Sequence, residues 1–280
     1  MGPTGVVDFY DRHPISETQV IEALQRRGVD LGRLAPEDLF DWDQDHYGGL
    51  AAVDVLTRRA GVVPGARVLD VCAGLGGPAR FIAHQRGARV IGIDLTRSRC
   101  AGGRRLSRMV GLDGRVWLVN GDAQAMPFSS GSFAAAVSQE GLLHVPDKAA
   151  VLRECARVLV PGGRLAFTDW VATPRLGDDE RHRLADWMAA VSLQTIDSYR
   201  ALLGRAGFVE VEGEDLSAEW GAILPERLRM YRAMRDETIA RFGHAGYDEY
   251  RQLYAFFVGL VAAGKLGGAR FSGTVDRGIF

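Results

Sequence analysis

The sequence is poor in cysteine and has no long apolar run, and each shortage excludes a class of protein. Its three cysteines, Cys72, Cys100 and Cys155, are odd in number and far apart. They therefore predict neither a disulfide framework nor a paired-cysteine metal site. No run approaches the roughly 18 consecutive apolar residues of a membrane span, and the first residues lack the basic and apolar regions of a signal peptide. We expect a cytoplasmic protein with no metal and no membrane association.

The chain is also poor in lysine and in net charge. Lys148 and Lys265 are the only lysines among the 34 basic residues, a bias typical of GC-rich coding sequences. The 34 basic and 35 acidic residues leave a net charge of −1. Nucleic-acid binding needs a concentrated basic face, so this balance argues against it. The length of 280 residues exceeds one minimal domain and is tight for two.

Five short apolar runs alternate with helix-like segments in the middle of the chain. Near-continuous apolar strands that alternate with helices predict a parallel sheet covered on both faces. A helical pattern at 195–206 and two further strands follow. The predicted strands cover residues 67–72, 89–95, 116–119, 133–138, 163–169, 208–211 and 270–275, and the helices between the first five lie near 78–86, 97–110 and 147–160.

Three segments fall outside this alternation. Residues 1–61 are predicted to form an N-terminal helical cap or lid, and residues 62–280 the main domain. Within that domain, residues of about 172–194 and 218–268 are predicted insertions that follow strands. Ligands of open α/β sheets bind at the carboxyl ends of the strands. We therefore expect the three segments to form one composite cap over the site.

A glycine-rich turn follows the first strand, in the sequence D-V-C-A-G-L-G-G that begins at Asp70. Glycines there let the backbone approach a ligand closely, and the following helix supplies amide donors. Asp94 ends the next strand, where it is placed to accept hydrogen bonds from ribose hydroxyls. Asp122 follows the third strand. The pattern predicts a nucleotide-like ligand.

Asp70 distinguishes between two such ligands. The dinucleotide fingerprint has a third glycine where this chain has Ala79, but alanine is tolerated there, so that difference decides little. A carboxylate at Asp70 would repel a pyrophosphate and suits a cation. S-adenosylmethionine carries an ammonium and a sulfonium at that end, so the electrostatics favour it over a nicotinamide dinucleotide.

These motifs, with the L-V-P-G-G segment at 159–163, resemble class I S-adenosylmethionine-dependent methyltransferases over roughly residues 60–217. The resemblance implies an α/β fold: a Rossmann-like, doubly wound sheet of seven strands with the last antiparallel and a helical cap. It also implies S-adenosylmethionine as cofactor and S-adenosylhomocysteine as product. Gly74 and Gly76 would face the methionine part, Asp94 the ribose, and Asp122 with Ala123 the adenine. The full set of expected cofactor residues is Asp70, Gly74, Gly76, Asp94, Leu95, Asp122, Ala123, Gln139 and Glu140.

A narrower resemblance is to N-methyltransferases that act on phosphoethanolamine or on sarcosine and dimethylglycine. It rests on S-Q-E-G-L-L-H at 138–144, F-T-D-W at 167–170 and the segment 214–220. In the phosphoethanolamine enzymes the histidine of the first segment belongs to the catalytic site, which implies that role for His144. The segment 187–193 departs from those enzymes, since it has small and apolar residues where they hold the phosphate. A phosphorylated amine is therefore disfavoured.

Methyl transfer to a small molecule is the function that this resemblance implies, most simply N-methylation of an amine or amino-acid-like metabolite. The apolar segment and nearby tryptophans leave C- or O-methylation of an aromatic or terpenoid compound as an alternative. A non-catalytic S-adenosylmethionine-binding module is a further alternative, and it would bind the cofactor without turning it over. We expect no nucleic-acid partner, and a homodimer is compatible with the sequence.

The candidate catalytic residues are His144, Tyr47 and His46. Histidine has a reference pKa of about 6.5, so His144 could accept a proton from an amine or hydroxyl near neutral pH. The polar and aromatic stretch at 41–49 has two interpretations. It either caps the next helix or forms a lid in which Tyr47 or His46 orients the nucleophile. Trp42, Trp170 and Trp187 either wall the substrate pocket or pack in the core. Cys100 and Cys155 are expected to be buried on helices.

Overall fold

Seven strands form one sheet in the structure, a computed structural model that describes residues 3–11, 16–44, 46–233 and 235–278. Their order across the sheet is β3-β2-β1-β4-β5-β7-β6. β7 is antiparallel to both neighbours, and the pairs from β3 to β5 are parallel. The predicted seven-stranded, doubly wound sheet with its last strand antiparallel is confirmed. The strands are β1 (Arg67–Val71), β2 (Arg89–Asp94), β3 (Val116–Asn120), β4 (Phe133–Gln139), β5 (Leu159–Ala172), β6 (Phe208–Asp215) and β7 (Leu266–Val275).

Helices cover both faces of the sheet and its carboxyl edge. The last helix contains a break at Gly243, whose φ of 74° and ψ of 171° are not helical. The described helices are α1 (Pro3–Asp11), α2 (Glu17–Arg26), α3 (Gly49–Arg59), α4 (Gly77–Arg86), α5 (Arg97–Met109), α6 (Lys148–Val158), α7 (Asp178–Met188), α8 (Ile196–Arg205), α9 (Ser217–Ala233) and α10 (Arg235–Ala262), with short 3₁₀ turns at Leu31–Arg33, Pro36–Leu39 and Leu142–His144. No helix of the described residues is long and apolar enough to cross a membrane.

Alternating side chains of the central strands feed two apolar layers. Leu69 and Ala136 face a layer that includes α6 and α8, whereas Val68 and Val137 face a layer that includes α2, α3 and α4. These strands are buried on both faces, as their near-continuous apolar sequences predicted. Cys100 and Cys155 are buried on α5 and α6, so that expectation is also confirmed.

The first 61 residues divide between this core and the ligand side of the sheet. Helices α2 and α3 contribute Leu24 and Leu56 to the second layer. In contrast, α1 and the loop that precedes α3 reach a cavity at the carboxyl edge of the sheet, where Tyr10 and His46 are among the lining residues. Among the described residues of the segment, these two parts lie at the ligand edge of the sheet.

A third apolar cluster caps the same edge of the sheet. It joins side chains from the loop before α3, from the end of β5, and from α7, α9 and α10. Four aromatic residues form its centre: Tyr47, Trp170, Trp220 and Phe257. The two insertions thus pack together over the carboxyl edge.

Strand β5 begins earlier than its sequence predicts. Leu159 pairs with Phe133, and the register then shifts so that Arg164 pairs with Ala135. The P-G-G segment, which leads into the predicted strand at 163–169, is instead an irregularity within β5. Backbone hydrogen bonding between β4 and β5 outweighs the local preference of proline and glycine for a turn.

Candidate active site

The cavity lies where the strand order reverses between β1 and β4, the usual ligand position in an open α/β sheet. Together with its open mouth it encloses about 1180 Å³ of empty space, which is ample for a small-ligand site. Most of the residues expected to bind the cofactor line it: Asp70, Gly74, Asp94, Leu95, Asp122, Ala123, Gln139 and Glu140. Gly76 does not line the cavity but precedes α4 as its N-cap.

The three glycines of the turn, Gly74, Gly76 and Gly77, are required for two different reasons. Gly74 and Gly76 adopt left-handed conformations with φ of 54° and 76°, which other residues adopt only at a cost. Gly77 is needed for space, because a Cβ atom there would lie 2.0 Å from the carbonyl oxygen of Asp43. The loop before α3 therefore sits directly on the start of α4.

Asp94 is held in one orientation by two backbone amides. Its carboxylate accepts hydrogen bonds from Gly74 N and Thr96 N, each at 2.8 Å. Burial raises the pKa of this carboxyl, and the two amide bonds act in the opposite direction. A carboxylate fixed at the end of β2 can still accept hydrogen bonds on its remaining lone pairs, as ribose hydroxyls require.

Asp70 is buried with an oxygen that has no partner among the described residues, its Oδ2 atom. Burial raises the pKa of Asp70 to about 7, and repulsion from Asp94 adds to the effect. A cationic ligand would oppose both of these effects on the pKa, because it stabilises the ionised carboxylate. This orphaned buried acceptor fits the ammonium end of S-adenosylmethionine.

Asp122 and Ala123, which follow β3, also line the cavity. The Asp122 carboxylate accepts hydrogen bonds from the backbone nitrogen of Gln124 at 2.8 Å and from its side-chain nitrogen at 3.1 Å. The Gln124 side-chain oxygen in turn accepts from Asp147 N. The carboxylate is thus fixed beside the cavity by its own turn.

Both ring nitrogens of His46 have partners in the protein. Nε2 lies 2.8 Å from Gln44 Oε1, and Nδ1 lies 3.1 Å from Gln139 Nε2. Gln44 also donates to Asp43, whose carboxylate pairs with Arg80 in a fully buried ion pair. This chain of contacts gives His46 the role of orienting Gln139, and it leaves Gln139 Oε1 without a partner among the described residues.

Glu140 anchors the residue that follows His46. Its carboxylate accepts hydrogen bonds from Tyr47 N at 2.9 Å and from Thr168 Oγ at 3.0 Å. Burial raises the pKa of Glu140 to about 8. Glu140 therefore connects the cavity to the cap.

His144 lies in the 3₁₀ turn after β4, and each of its ring nitrogens has a partner. Nδ1 lies 2.9 Å from the carbonyl oxygen of Ala189, to which it can only donate. In the neutral ring Nε2 is then an acceptor, and it lies 2.7 Å from the hydroxyl of Tyr10. The two residues form a hydrogen-bonded pair on the wall of the cavity.

Arg99 supports the same pair from the cofactor side. Its guanidinium lies 4.7 Å from the centre of the Tyr10 ring, and the side chain is 6% exposed. It is the one arginine or lysine among the described residues that line the cavity. The stacked cation fixes α1 against the site.

Four of the candidate residues lie outside the lining of the cavity. Tyr47 and Trp170 are buried in the aromatic centre of the cap, with ring centres 5.1 Å apart. Trp42 packs against the second apolar layer beneath Arg27. Trp187 lies on the surface of the cap, 38% exposed. None of the three tryptophans lines this cavity, and their expected place in a substrate pocket stays a prediction.

Several cavity residues were not expected from the sequence. The most important are Tyr10, Arg99, Asp43 and Gln124. The only local signal for Tyr10 is the aromatic pair F-Y within an otherwise polar stretch. Its partner is 134 residues away, so no periodicity could have revealed the contact.

Known proteins resemble this chain over most of its length. A family model described as a methyltransferase domain matches residues 69–167. The methyltransferase GfsG of Streptomyces halstedii is 34% identical over 93% of this chain and 94% of its own. The 27-O-demethylrifamycin SV methyltransferase of Amycolatopsis mediterranei is 30% identical over 74% and 79%. The sarcosine/dimethylglycine N-methyltransferase of Halorhodospira halochloris is 33% identical over 57% of each chain.

The fold has also been seen in solved structures. The structure of a Haemonchus contortus phosphoethanolamine N-methyltransferase with S-adenosylhomocysteine has a TM-score of 0.77 at 22% identity. It aligns with 97% of this chain and covers 60% of that longer chain. The fold, the oriented Asp94, the unpartnered Asp70 oxygen and the relatives agree on one cofactor, S-adenosylmethionine. The chain belongs to the S-adenosylmethionine-dependent methyltransferases.

Proposed function

We propose that this methyltransferase acts on a hydroxyl group of a neutral small molecule and that His144 and Tyr10 remove the proton of that hydroxyl. The observation that carries the proposal is the 2.7 Å contact between Tyr10 Oη and His144 Nε2 on the cavity wall. The hydrogen bond from Nδ1 to Ala189 selects the tautomer in which Nε2 can take a proton. An alcohol is a weak nucleophile until its proton is removed, so it needs such a base.

The charges of the cavity support a neutral acceptor. A substrate with a carboxylate or phosphate needs a cation to hold it. Among the described residues that line the site, Arg99 is the one lysine or arginine. Arg99 is stacked on Tyr10 and its charge acts on the Asp94 carboxyl, whose pKa it lowers, while its Nη2 atom has no hydrogen-bond partner among the described residues. The Glu140 carboxylate, which could hold an ammonium, accepts instead from Tyr47 and Thr168. A relative named as a 27-O-demethylrifamycin methyltransferase supports an oxygen acceptor.

N-methylation of an amine is the second candidate. A relative named as a sarcosine/dimethylglycine N-methyltransferase matches 57% of the chain at 33% identity, and the segment 138–144 is the basis of the resemblance to such enzymes. The same pair could accept the proton that an amine loses on methylation. The cavity residues that bear on the choice between the two acceptors are Arg99 and Glu140, whose contacts are given above.

The enzyme's own contribution to the reaction is mainly positioning. The cofactor, when bound, supplies the methyl group from its sulfonium. Asp94, Asp122 and Asp70 would hold its ribose, adenine and ammonium ends, and the His144–Tyr10 pair would orient the acceptor oxygen. Well-oriented reactants can lower a barrier by on the order of 7–11 kcal/mol.

A mass-resolved turnover screen tests the acceptor. The enzyme is incubated with S-adenosylmethionine and with panels of neutral alcohols, phenols, amines and amino acids, and products that gain a methyl group are sought. We expect hydroxyl compounds to be methylated at oxygen and to yield one S-adenosylhomocysteine per product. Methylation restricted to amines would favour the second candidate. Cofactor binding without any turnover would contradict both.

His144→Ala and Tyr10→Phe test the proposed base. We expect kcat to fall by about 10²–10⁴-fold for His144→Ala and by a smaller factor for Tyr10→Phe, which keeps the ring on Arg99. Cofactor affinity measured by calorimetry should stay close to wild type in both. Asp94→Ala is the matched control, since it should weaken cofactor binding first. An equal loss of turnover and cofactor affinity in His144→Ala would contradict a role as base.

Expectations about the setting of the enzyme stay predictions. They are a cytoplasmic location, no nucleic-acid partner and a homodimer as the assembly compatible with the sequence. Cell fractionation and analytical ultracentrifugation measure the first and the last of them directly.

A further inference from the structure

A buried lysine lies beneath the turn that carries His144. Lys148 is the first residue of α6 and is 3% exposed. Its ammonium donates hydrogen bonds to the carbonyl oxygens of Leu142 and Val145, the latter at 3.1 Å. These two carbonyls flank His144 in the sequence. The lysine therefore holds the turn from both ends.

A buried carboxylate binds the same turn. Asp169 of β5 is fully buried and accepts a hydrogen bond from Leu143 N at 3.2 Å. Its other oxygen accepts from the hydroxyl of Tyr199 on α8. The Leu143 carbonyl in turn accepts from Ser192 N. Side chains of β5 and α6 and backbone of the cap thus bind the backbone polar groups of this one turn.

The geometry leaves His144 few conformations. With the turn held, the side-chain direction is determined by the Nδ1 contact to Ala189 at 2.9 Å. Nε2 then lies at the cavity, 2.7 Å from Tyr10. A displacement of the turn would break these two contacts together, because they lie on opposite sides of one ring.

The electrostatics keep both buried groups charged near neutral pH. Burial lowers the pKa of Lys148 to about 8 and raises that of Asp169 to about 6, and attraction between the two groups opposes both shifts. The other titratable groups that interact with them are largely neutral near that pH. The pKa values of Cys72 and Tyr199 are raised well above their ordinary ones, and that of Glu140 is raised to about 8. Near neutral pH an ammonium and a carboxylate therefore hold the turn together. Lys148 loses its charge on the basic side of that range, and Asp169 loses its charge on the acidic side.

The choice of lysine at this position is informative. Lys148 is one of two lysines in a chain with 34 basic residues. An ammonium directs its donors from a single point and can reach two converging carbonyls. The planar guanidinium of arginine has a different fork geometry and a larger volume. In a fully packed site, arginine would displace the turn.

We propose that Lys148, together with Asp169, is a positioning residue that holds His144 in its catalytic orientation. This inference rests on the proposed function of His144, and its structural part can be measured without a substrate. Lys148 does not line the cavity, so its effect on the reaction passes through the turn.

The test compares Lys148→Met and Lys148→Arg with Lys265→Met. Lys265 is the matched control because it is the other lysine and pairs with Glu180 in the cap. We expect kcat of both Lys148 variants to fall by up to about 10²-fold, as for a misplacement of about 1 Å. KM for the cofactor and its calorimetric affinity should stay within twofold of wild type. The control should keep its wild-type kcat.

A second readout follows the His144 ring itself. Nitrogen-detected NMR of histidine-labelled protein, assigned with His144→Gln, reports which ring nitrogen carries the proton. In wild type we expect the proton on Nδ1, and in both Lys148 variants an average of the two tautomers with a shifted midpoint of titration. Tyr199→Phe, which removes one hydroxyl from Asp169, should move both readouts in the same direction by a smaller amount. It keeps the test open if Lys148→Met fails to fold.

The outcomes separate the two proposals. An unchanged His144 tautomer and unchanged kcat in a folded Lys148 variant would overturn the positioning role, as would full activity of Lys148→Arg. A shifted tautomer with unchanged kcat would support the positioning role and contradict the proposed function of His144.

Discussion

At the residue scale, the cavity is distinguished by carboxyl groups that burial makes harder to ionise. The pKa of Asp70 is raised to about 7 and that of Glu140 to about 8. Glu140 has hydrogen-bond donors from the protein, whereas Asp70 Oδ2 has none among the described residues. The same physical shift therefore has two consequences. One carboxyl is a structural anchor, and the other is available to a ligand.

Asp70 should make cofactor binding pH dependent. Its folded pKa lies above its ordinary value, so without ligand the group is largely protonated below pH about 7. A cationic ligand favours the ionised form, and binding must release a proton. We expect the affinity for S-adenosylmethionine to rise with pH, by up to about tenfold per unit, and to level off above about 7.

Calorimetry in two buffers of different ionisation enthalpy measures the released proton. Asp70→Asn is the control, since it cannot ionise and should show weaker binding with little pH dependence. The same proton release in Asp70→Asn as in wild type would assign the effect to another group.

At the element scale, the loop before α3 is held against the start of α4 by close packing and charge. Asp43 contributes its carbonyl to the contact with Gly77 and its carboxylate to the buried pair with Arg80. Through Gln44 and His46 the loop then orients Gln139 at the cavity. One local contact thus positions cavity residues of the loop and of β4 together.

Gly77→Ala should displace this loop. The added Cβ would lie 2.0 Å from the carbonyl oxygen of Asp43, and such overpacking costs about 1–3 kcal/mol of folding free energy. We expect a lower midpoint in urea unfolding and weaker cofactor binding. Gly114→Ala is the matched control, because nothing lies within 4 Å of its Cβ position. Similar midpoints for both variants would show that the loop yields without cost.

At the scale of the whole molecule, side chains of α7, α9 and α10 pack with the loop before α3 and with the end of β5 in one apolar cluster, the cap. Trp220 of α9 packs between Tyr47 and Trp170, with ring centres 4.9 and 4.7 Å away. Gly268 of β7 makes room for it, because a Cβ there would lie 2.2 Å from the indole. The cap and the sheet therefore share one packed interface.

Trp220→Ala should destabilise the protein by about 3–5 kcal/mol, the range for loss of a buried aromatic side chain. The measurement is the free energy of unfolding from urea titration followed by circular dichroism. Trp187→Ala serves as control: this tryptophan is 38% exposed, and surface changes usually stay within about 0.5 kcal/mol. Equal losses in the two variants would contradict the distinction between cap centre and cap surface.

The strands and the cofactor wall were predictable because their signals are local. The central strands are short apolar runs. Asp70 lies near the end of β1, Gly74 follows that strand and Asp94 ends β2, and the carboxyl ends of these strands meet at one edge. The roles within the loop at 41–49 were not predictable in the same way. Histidine is a residue type that is common in catalysis, yet both ring nitrogens of His46 contact protein side chains, those of Gln44 and Gln139.

The sequence by itself determined the fold class and the cofactor, and most of the residues that it marked as cofactor-binding line one cavity, since strand periodicity and turn motifs depend on neighbours in the chain. Only the tertiary structure decided which distant residues meet on the cavity wall. Tyr10 meets His144 across 134 residues, and the turn that carries His144 is held by Lys148 and Asp169 from different elements. Contacts between distant segments depend on how the helices pack on the sheet, and no repeat in the sequence encodes that packing.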